Sequence, residues 1–345
     1  ASRLHRECRG FESLTAHHVP MPFILFFIAL VMVATPATGS GIKPLVHQGE
    51  RFIRLDELAS FYGGEIVPSP LGQVFIRAPR AELEFKPDSR ELRIGRTIVW
   101  MHETMKKVAN HWVISETDAL KVIDPVMRPP EYLRNAGYRV VMIDPGHGGL
   151  DTGARGLKHG VEEKRAVLDI SRRVRNHLTA AGVKVYMTRE NDRYIELEER
   201  SRMTARRGAD LFVSIHLNSA SGSTAQGIET YVLIAAEHSS TAGGSKSPAL
   251  PGNRYDPGSA LLGFYLQHAL IQQVKTVDRG LKRSRFIVLR NAPCPAALVE
   301  LGFLSHAGEE RKIMQEDYRE MLAQAIVKGI MNYINTVRQS QRGPI

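Results

Sequence analysis

Cysteine is nearly absent from the 345 residues. Only Cys8 and Cys294 occur, and Cys294 has no CxxC partner. A disulfide framework is therefore excluded. No HExxH helix occurs either, which disfavours a zincin. No apolar run reaches the ~20 residues that span a bilayer. The most apolar stretch, residues 23–34, is followed by small residues over 34–40, as expected around a signal-peptidase site. A buried core helix and an uncleaved membrane anchor are the alternatives, and no cysteine follows the run to support a lipid anchor. The expectation is a signal peptide at 21–40, with Met21 as initiator and residues 1–20 as an upstream extension. It implies an exported protein of the periplasm or cell envelope, with no stable membrane anchor after cleavage. Acidic charge is also in deficit: 46 Lys+Arg against 36 Asp+Glu give +10 and a pI near 9.7. Of this excess, +8 falls in residues 129–345. Such charge suits nucleic acid, a membrane surface or another polyanion. The basic clusters at 172–175 and 202–207 lack interleaved aromatics, however, so they read as solvated helix faces and no nucleic-acid partner is expected.

What is present is globular: 43% hydrophobic and 24% charged residues, in a chain long enough for two domains. Residues 41–127 form short alternating runs such as 73–77, 81–85, 91–94 and 97–100, punctuated by Gly63-Gly64 and Pro87-Asp88-Ser89. Helical candidates flank them at 55–61 and 116–123. This is a small strand-rich α+β domain without paired carboxylates, metal spacing or a phosphate loop. Arg128-Pro129-Pro130 then breaks the chain, and residues 128–137 read as a linker. Beyond it strands and helices alternate through 138–337, ahead of a tail at 338–345. Apolar runs predict strands at 138–143, 183–187, 211–215, 228–233, 286–289 and 297–301. Helical periodicity covers 164–181, 197–207, 260–274 and 318–336. The fold class is α/β, a mainly parallel sheet covered by helices on both faces, preceded by the small α+β domain. In such sheets sites form at the carboxyl ends of strands.

Four strand exits or helix starts carry suggestive chemistry. His147 lies in the turn Asp144-Pro145-Gly146-His147-Gly148-Gly149, His216 ends 213–216, Glu300 closes 297–300, and Glu162-Glu163 opens a helix. Each alone is readily structural, as a cap, a bonded core histidine or a solvated charge. Together, two imidazoles and a carboxylate are a recurrent catalytic zinc set that leaves a position for water.

Residues 139–335 resemble the zinc-dependent N-acetylmuramoyl-L-alanine amidases of the bacterial cell wall. The matching stretches include IDPGHGG (143–149), EEK (162–164), TREND (188–192), the run 197–219 ending SIHLNS, GIETY (227–231) and the run 278–305 ending VELGFLS. The resemblance implies one Zn2+ per catalytic domain, with His147, Glu163 and His216 as ligands and Glu300 as the catalytic carboxylate. Glu162 is the neighbour that could confuse the assignment. The implied substrate is peptidoglycan, cut between N-acetylmuramic acid and the L-alanine of the stem peptide. Glu300 would take a proton from water and pass it to the departing amine. Asp144 and Asn218 are candidates to orient the imidazoles, while His159 is expected in an exposed loop. Some members insert an autoinhibitory helix where this chain has residues 235–257. The Ser, Gly and Pro content there predicts a flexible loop beside the cleft instead. The pattern of 41–127 resembles the N-terminal modules of copper amine oxidase type, with docking on wall or envelope components as the default role. The rival readings are a zinc carboxypeptidase-type peptidase acting on stem peptides and a non-catalytic wall-binding protein.

Overall fold

The computed structural model describes residues 41–69 and 72–342. Cys8, the apolar run at 23–34 and the export signal expected at 21–40 lie outside them.

The first region contributes β1 (Leu45–His47), β2 (Glu50–Arg54), α1 (Leu55–Phe61), β3 (Glu65–Pro68), β4 (Val74–Arg77), β5 (Glu82–Phe85), β6 (Glu91–Ile94), β7 (Thr97–Trp100), β8 (Lys106–Val108) and β9 (His111–Ser115). Alternation sets their faces: Val74 and Ile76, Leu83 and Phe85, Leu92 and Ile94 point into one core while their neighbours face outward. The second region contributes β10 (Val140–Pro145), α2 (Glu163–Ala180), β11 (Lys184–Met187), α3 (Leu197–Arg206), β12 (Leu211–Asn218) and β13 (Ile228–Leu233). It continues with α4 (Asp256–Val274), β14 (Asp278–Ser284), α5 (Ile287–Arg290), β15 (Ala296–Phe303), α6 (Ala307–Met314) and α7 (Glu316–Arg342). Strands β12 and β15 are buried at every position, as central strands covered on both faces must be. Helix α2 turns Val167, Ile170, Val174 and Leu178 inward and stops before Gly182, whose φ of +79° suits a glycine.

Helices cover both faces, as expected. On one side α2, α4 and α7 pack over the main core, and on the other α3 and α5 cover Met142, Phe212 and Leu298. The sheet itself differs from expectation. It has eleven strands in the order β11-β10-β12-β15-β13-β14-β7-β6-β5-β4-β3 and is mixed. Strands β11, β10, β12 and β15 are parallel, β13 runs antiparallel to β15, and β3 to β7 form an antiparallel meander. The two expected domains thus share one sheet, joined where β7 pairs β14 at Val99 and Leu281. The physical reason is the edge: without β7 the outer backbone groups of β14 would lack partners. A second sheet, β1-β2-β9-β8, stands apart.

Several segments depart from the sequence reading. Residues 286–289, expected as a strand, form the helical turn α5, because Arg290 Nε and the backbone nitrogens of Leu289 and Arg290 close a turn on Arg285 and Phe286. The linker is not extended: Pro130–Leu133 is a helical turn that buries Leu133, since proline is tolerated in a first turn. The final helix consumes most of the expected tail, running to Arg342 with Ser340 buried. Of residues 235–257, expected as a flexible loop, 235–250 lack helix but are held rather than loose, while Pro251–Tyr255 form a 3-10 turn that leads into α4 at Asp256. Glu237 N donates to Ser247 O at 2.6 Å, Thr241 N to Arg283 O at 2.9 Å, and Arg90 Nη2 to Thr241 O at 2.6 Å. This loop seals the seam between the two regions.

Candidate active site

The carboxyl ends of β10, β12 and β15 meet the first turn of α2, and there the structure gathers three of the expected residues. His147, Glu163 and His216 each offer a ligand atom within 4.8 Å of the other two, and all three are buried. Glu163 Oε1 lies 2.9 Å from His216 Nδ1 and 3.0 Å from His147 Nε2. The latter contact is off the line of a hydrogen bond, so His147 Nε2 is buried without a hydrogen-bond partner. Glu162, the neighbouring acid, instead faces Arg165 Nε at 2.9 Å. Helix geometry separates the two: Glu162 is the extended residue before α2, and Glu163 is its first helical residue, turned inward.

Backbone form makes room for this convergence. His147 sits at φ +61°, a conformation that costs a non-glycine residue about 1–3 kcal/mol and persists only where the surroundings enforce it. Two buried arginines enforce it. Arg189 donates to Pro145 O at 2.9 Å and Gly146 O at 2.6 Å, and Arg200 to Pro145 O at 2.9 Å and His147 O at 3.0 Å. A Cβ on Gly146 would lie 2.2 Å from the His216 ring, and one on Gly153 would lie 2.5 Å from Glu163 Oε2. Only glycine allows the ligands to close in at these two positions.

The electrostatics leave one donor protonated until a metal displaces its proton. Burial disfavours charge on every group here, so what survives must be paired. For Glu163 burial is outweighed by the two imidazoles, which hold its carboxyl well below the usual range. For His147 burial is outweighed by Glu163 and Asp151, and its pKa is pushed up to about 9. Burial prevails for His216, which is lowered and neutral despite Glu163. One carboxylate compensates one imidazolium, not two. Two imidazoles, one carboxylate and an unpartnered buried nitrogen are the donor set of a catalytic zinc site, and the residues fit that ion.

Glu300 is also at the site, opposite His216 in the β12–β15 register. Its Oε2 is buried without a partner. Burial, then the charges of Glu163 and Glu229, raise its pKa well above the ordinary carboxylate value. A cavity of 240 Å³ opens beside the cluster, lined by His147, Asp151 and His216, by Tyr194 from the loop before α3, and by Ile287 and Val288 of α5.

The expected orienting residues are only partly right. Asp144 touches neither imidazole; it accepts from Thr188 Oγ1, Ser214 Oγ and Arg200 Nη1 at 2.6, 2.7 and 2.7 Å. It acts on His216 through Ser214, whose Oγ is 3.1 Å from His216 Nε2. Asn218 gives its amide to Glu229 at 2.8 Å. The group that orients His147 is Asp151, with Oδ2 2.9 Å from Nδ1. Its signal was its spacing four residues on, which a loop does not make legible. His159 is exposed, and its loop hangs on buried Glu310, which accepts from the Lys158 and His159 backbone nitrogens at 2.9 and 2.8 Å. The basic cluster at 172–175 is largely engaged on the surface: Arg173 pairs with Asp169, Glu316 and Glu320.

Residues 141–332, more than half of the chain, match the family described as N-acetylmuramoyl-L-alanine amidase. The chain is 34% identical over 230 residues to the N-acetylmuramoyl-L-alanine amidase LytC of Bacillus subtilis, covering 66% of this chain and 41% of that protein. To the amidase AmiA of Escherichia coli it is 30% identical over 233 residues, 60% of this chain and 80% of that one. Among solved structures, an N-acetylmuramoyl-L-alanine amidase from Clostridium difficile 630 superposes with a TM-score of 0.50 at 36% identity. That match covers 58% of this chain and 98% of the other. The family match begins beyond residues 41–127 and lends no support to a copper amine oxidase resemblance there.

Proposed function

The chain belongs to the N-acetylmuramoyl-L-alanine amidase family, and on that premise we propose that it cleaves the amide between N-acetylmuramic acid and L-alanine in peptidoglycan. The observation that carries this is the convergence of His147, Glu163 and His216 beside a cavity lined by the two histidines, with Glu300, its Oε2 unpartnered, opposite His216 in the sheet. His147, Glu163 and His216 would hold one Zn2+. That ion supplies Lewis-acid activation of water and of the amide carbonyl. Glu300 Oε2 takes the proton from the attacking water and delivers it to the departing nitrogen, as the C–O bond forms and the C–N bond breaks. Asp151 and the Asp144–Ser214 pair keep the two imidazoles oriented. The cavity walls Tyr194, Ile287 and Val288 limit water around the scissile bond.

The protein acts outside the cytoplasm on this reading, with residues 21–40 as its export signal. The apolar run followed by small residues supports that. Among the described residues no helix is long and apolar enough to cross a membrane. The basic excess of the second region suits an acidic wall polymer.

Digestion of purified peptidoglycan, read by mass spectrometry, tests the proposal. Intact stem peptides with a free L-alanine amine are expected, and stem peptides trimmed only at their carboxyl ends would point to a carboxypeptidase instead. Glu300→Gln should retain zinc and lose nearly all turnover. A variant that stays active would remove Glu300 from the mechanism.

A further inference from the structure

The described residues of 41–127 contribute none of the groups gathered at the site, yet their last meander strand, β7, pairs with the outer edge of β14. From that strand a chain of contacts runs to Glu300. The first link joins side chain to main chain: Trp100 Nε1 donates to Arg279 O at 2.9 Å, and Ile98 N to Asp278 Oδ2 at 2.9 Å. Arg283 Nη1 returns a bond to Trp100 O at 2.6 Å. Gly280 lies beneath, at φ +87°, where a Cβ would stand 2.7 Å from Ile98 Cγ2 and 2.9 Å from Trp100 Nε1. The two aromatic and aliphatic side chains therefore seat directly on the main chain of β14.

The second link is electrostatic. The β13–β14 register shifts between Ile228 and Thr230, and such an irregularity re-aims side chains. Here Arg279 Nε reaches Glu229 Oε2 at 2.7 Å, joined by Lys282 Nζ at 2.6 Å. Asn218 Nδ2 and Tyr231 OH occupy the other oxygen, each at 2.8 Å. Glu229 is 2% exposed and held by four donors.

The third link is register. Glu229 stands directly opposite Glu300 on β15, as His216 does on β12. Opposite residues share a face of the sheet, so His216, Glu300 and Glu229 form one row. Two like charges in such a row repel, and Arg279 and Lys282 neutralise the Glu229 member.

We propose that residues 41–127 serve the reaction itself: through Ile98 and Trp100 they fix Arg279, which with Lys282 holds Glu229 as the positioning residue of Glu300. This rests on the reading of Glu300 as the proton-transferring group. The first region is then a structural part of the catalytic wall, independent of whatever else it binds.

The test uses the full zinc-loaded chain and a soluble glycan–peptide fragment as substrate. Trp100→Phe removes the indole donor and Arg279→Gln removes the cation. Each should lower kcat by about tenfold, inside the ~100-fold that an ångström of misplacement can cost. KM and bound zinc should stay at wild-type values. The double variant should fall no further than Arg279→Gln alone, because both act through one link. Arg279→Lys, which keeps the charge, should recover most of kcat. An unchanged kcat in Trp100→Phe and Arg279→Gln would overturn the proposal, as would losses that multiply in the double variant. A wild-type chain that releases no stem peptides sinks both this and the amidase reading, whereas an active wild type with unmoved variants sinks only this one.

Discussion

His147 and His102 are both buried, both turn Nδ1 to an aspartate, at 2.9 Å from Asp151 and 2.8 Å from Asp118, and both leave Nε2 without a hydrogen-bond partner. One stands at the carboxyl end of the parallel strands, the other at the seam beside the loop 235–250. Around His147 a second imidazole and Glu163 converge on the free nitrogen. Among the described residues no such donor set converges on His102. Asp118 is saturated by the backbone nitrogens of His102 and Glu103 and by Ser115 Oγ, at 2.7, 3.1 and 2.7 Å. The neighbouring ring of His238 lies tilted against it, with centroids 4.5 Å apart and planes at 49°. Burial and an aspartate are common to both corners. What separates a metal centre from a structural one is donors aimed at a single point.

The largest effect should come from breaking that convergence. His216→Ala or Glu163→Gln should weaken zinc by well over the ~100-fold that loss of a mere supporting partner causes. Competition with a chromogenic chelator measures it. His102→Ala should leave zinc affinity unchanged and lower stability by about 1–3 kcal/mol, the usual cost of stranding a buried partner such as Asp118. If His102→Ala released zinc, the two corners would not be the separate things described above.

The same two histidines should give opposite pH dependences of stability. His102 is held by burial at about 4, against its aspartate. Being depressed, it binds its proton more readily in the unfolded chain, so stability should fall as pH drops from ~6.5 toward 4. His147 is raised to about 9, burial being overcome by Glu163 and Asp151. Its contribution is full below ~6.5 and lost as pH climbs toward 9, by up to about 3 kcal/mol in the metal-free protein. The metal-free chain should therefore resist thermal unfolding most strongly near neutrality. His147→Gln should flatten the alkaline side only. Zinc, which displaces the proton, should abolish the alkaline loss and bind more weakly as pH falls below 9. An alkaline slope that persists in His147→Gln would contradict this origin.

Much of the second region was legible, because its grammar is local. Continuous apolar runs predicted β10, β12, β13 and β15, and one stripe at helical spacing predicted α2 to within a residue at each end. The four principal site residues stand where strand exits and the α2 start placed them. What stayed hidden is what depends on pairing across long sequence distances. Strand β14 reads Asp-Arg-Gly-Leu-Lys-Arg-Ser, a polar run with a glycine, and becomes a strand only because β13 and β7 flank it. The merger of two expected domains into one sheet rests on that same strand. Asp151, Glu229 and Glu310 are surface-type residues by composition. Their burial or their bonds come from partners up to 152 residues away, which no local period records.

The smallest and most discriminating contrast lies in the two aspartates. Asp151 is about a quarter exposed and uses Oδ2 on His147 and Oδ1 on the Gly153 nitrogen at 3.1 Å. Asp151→Asn removes the charge and leaves one acceptor oxygen for His147 Nδ1, and at this part-exposed position water can take the bond lost at the Gly153 nitrogen. Zinc affinity should fall by about tenfold, the lower end for a group that orients a ligand, with the melting temperature of the zinc-free protein barely moved. Asp118 is fully buried and accepts four bonds on its two oxygens. Asp118→Asn must set an amide NH2 against at least one of those donors, so stability should fall by about 1–3 kcal/mol while zinc affinity holds. Chelator competition and thermal unfolding on both variants give four numbers. Only a crossed pattern, affinity lost in one and stability in the other, fits a metal centre at His147 and a structural corner at His102.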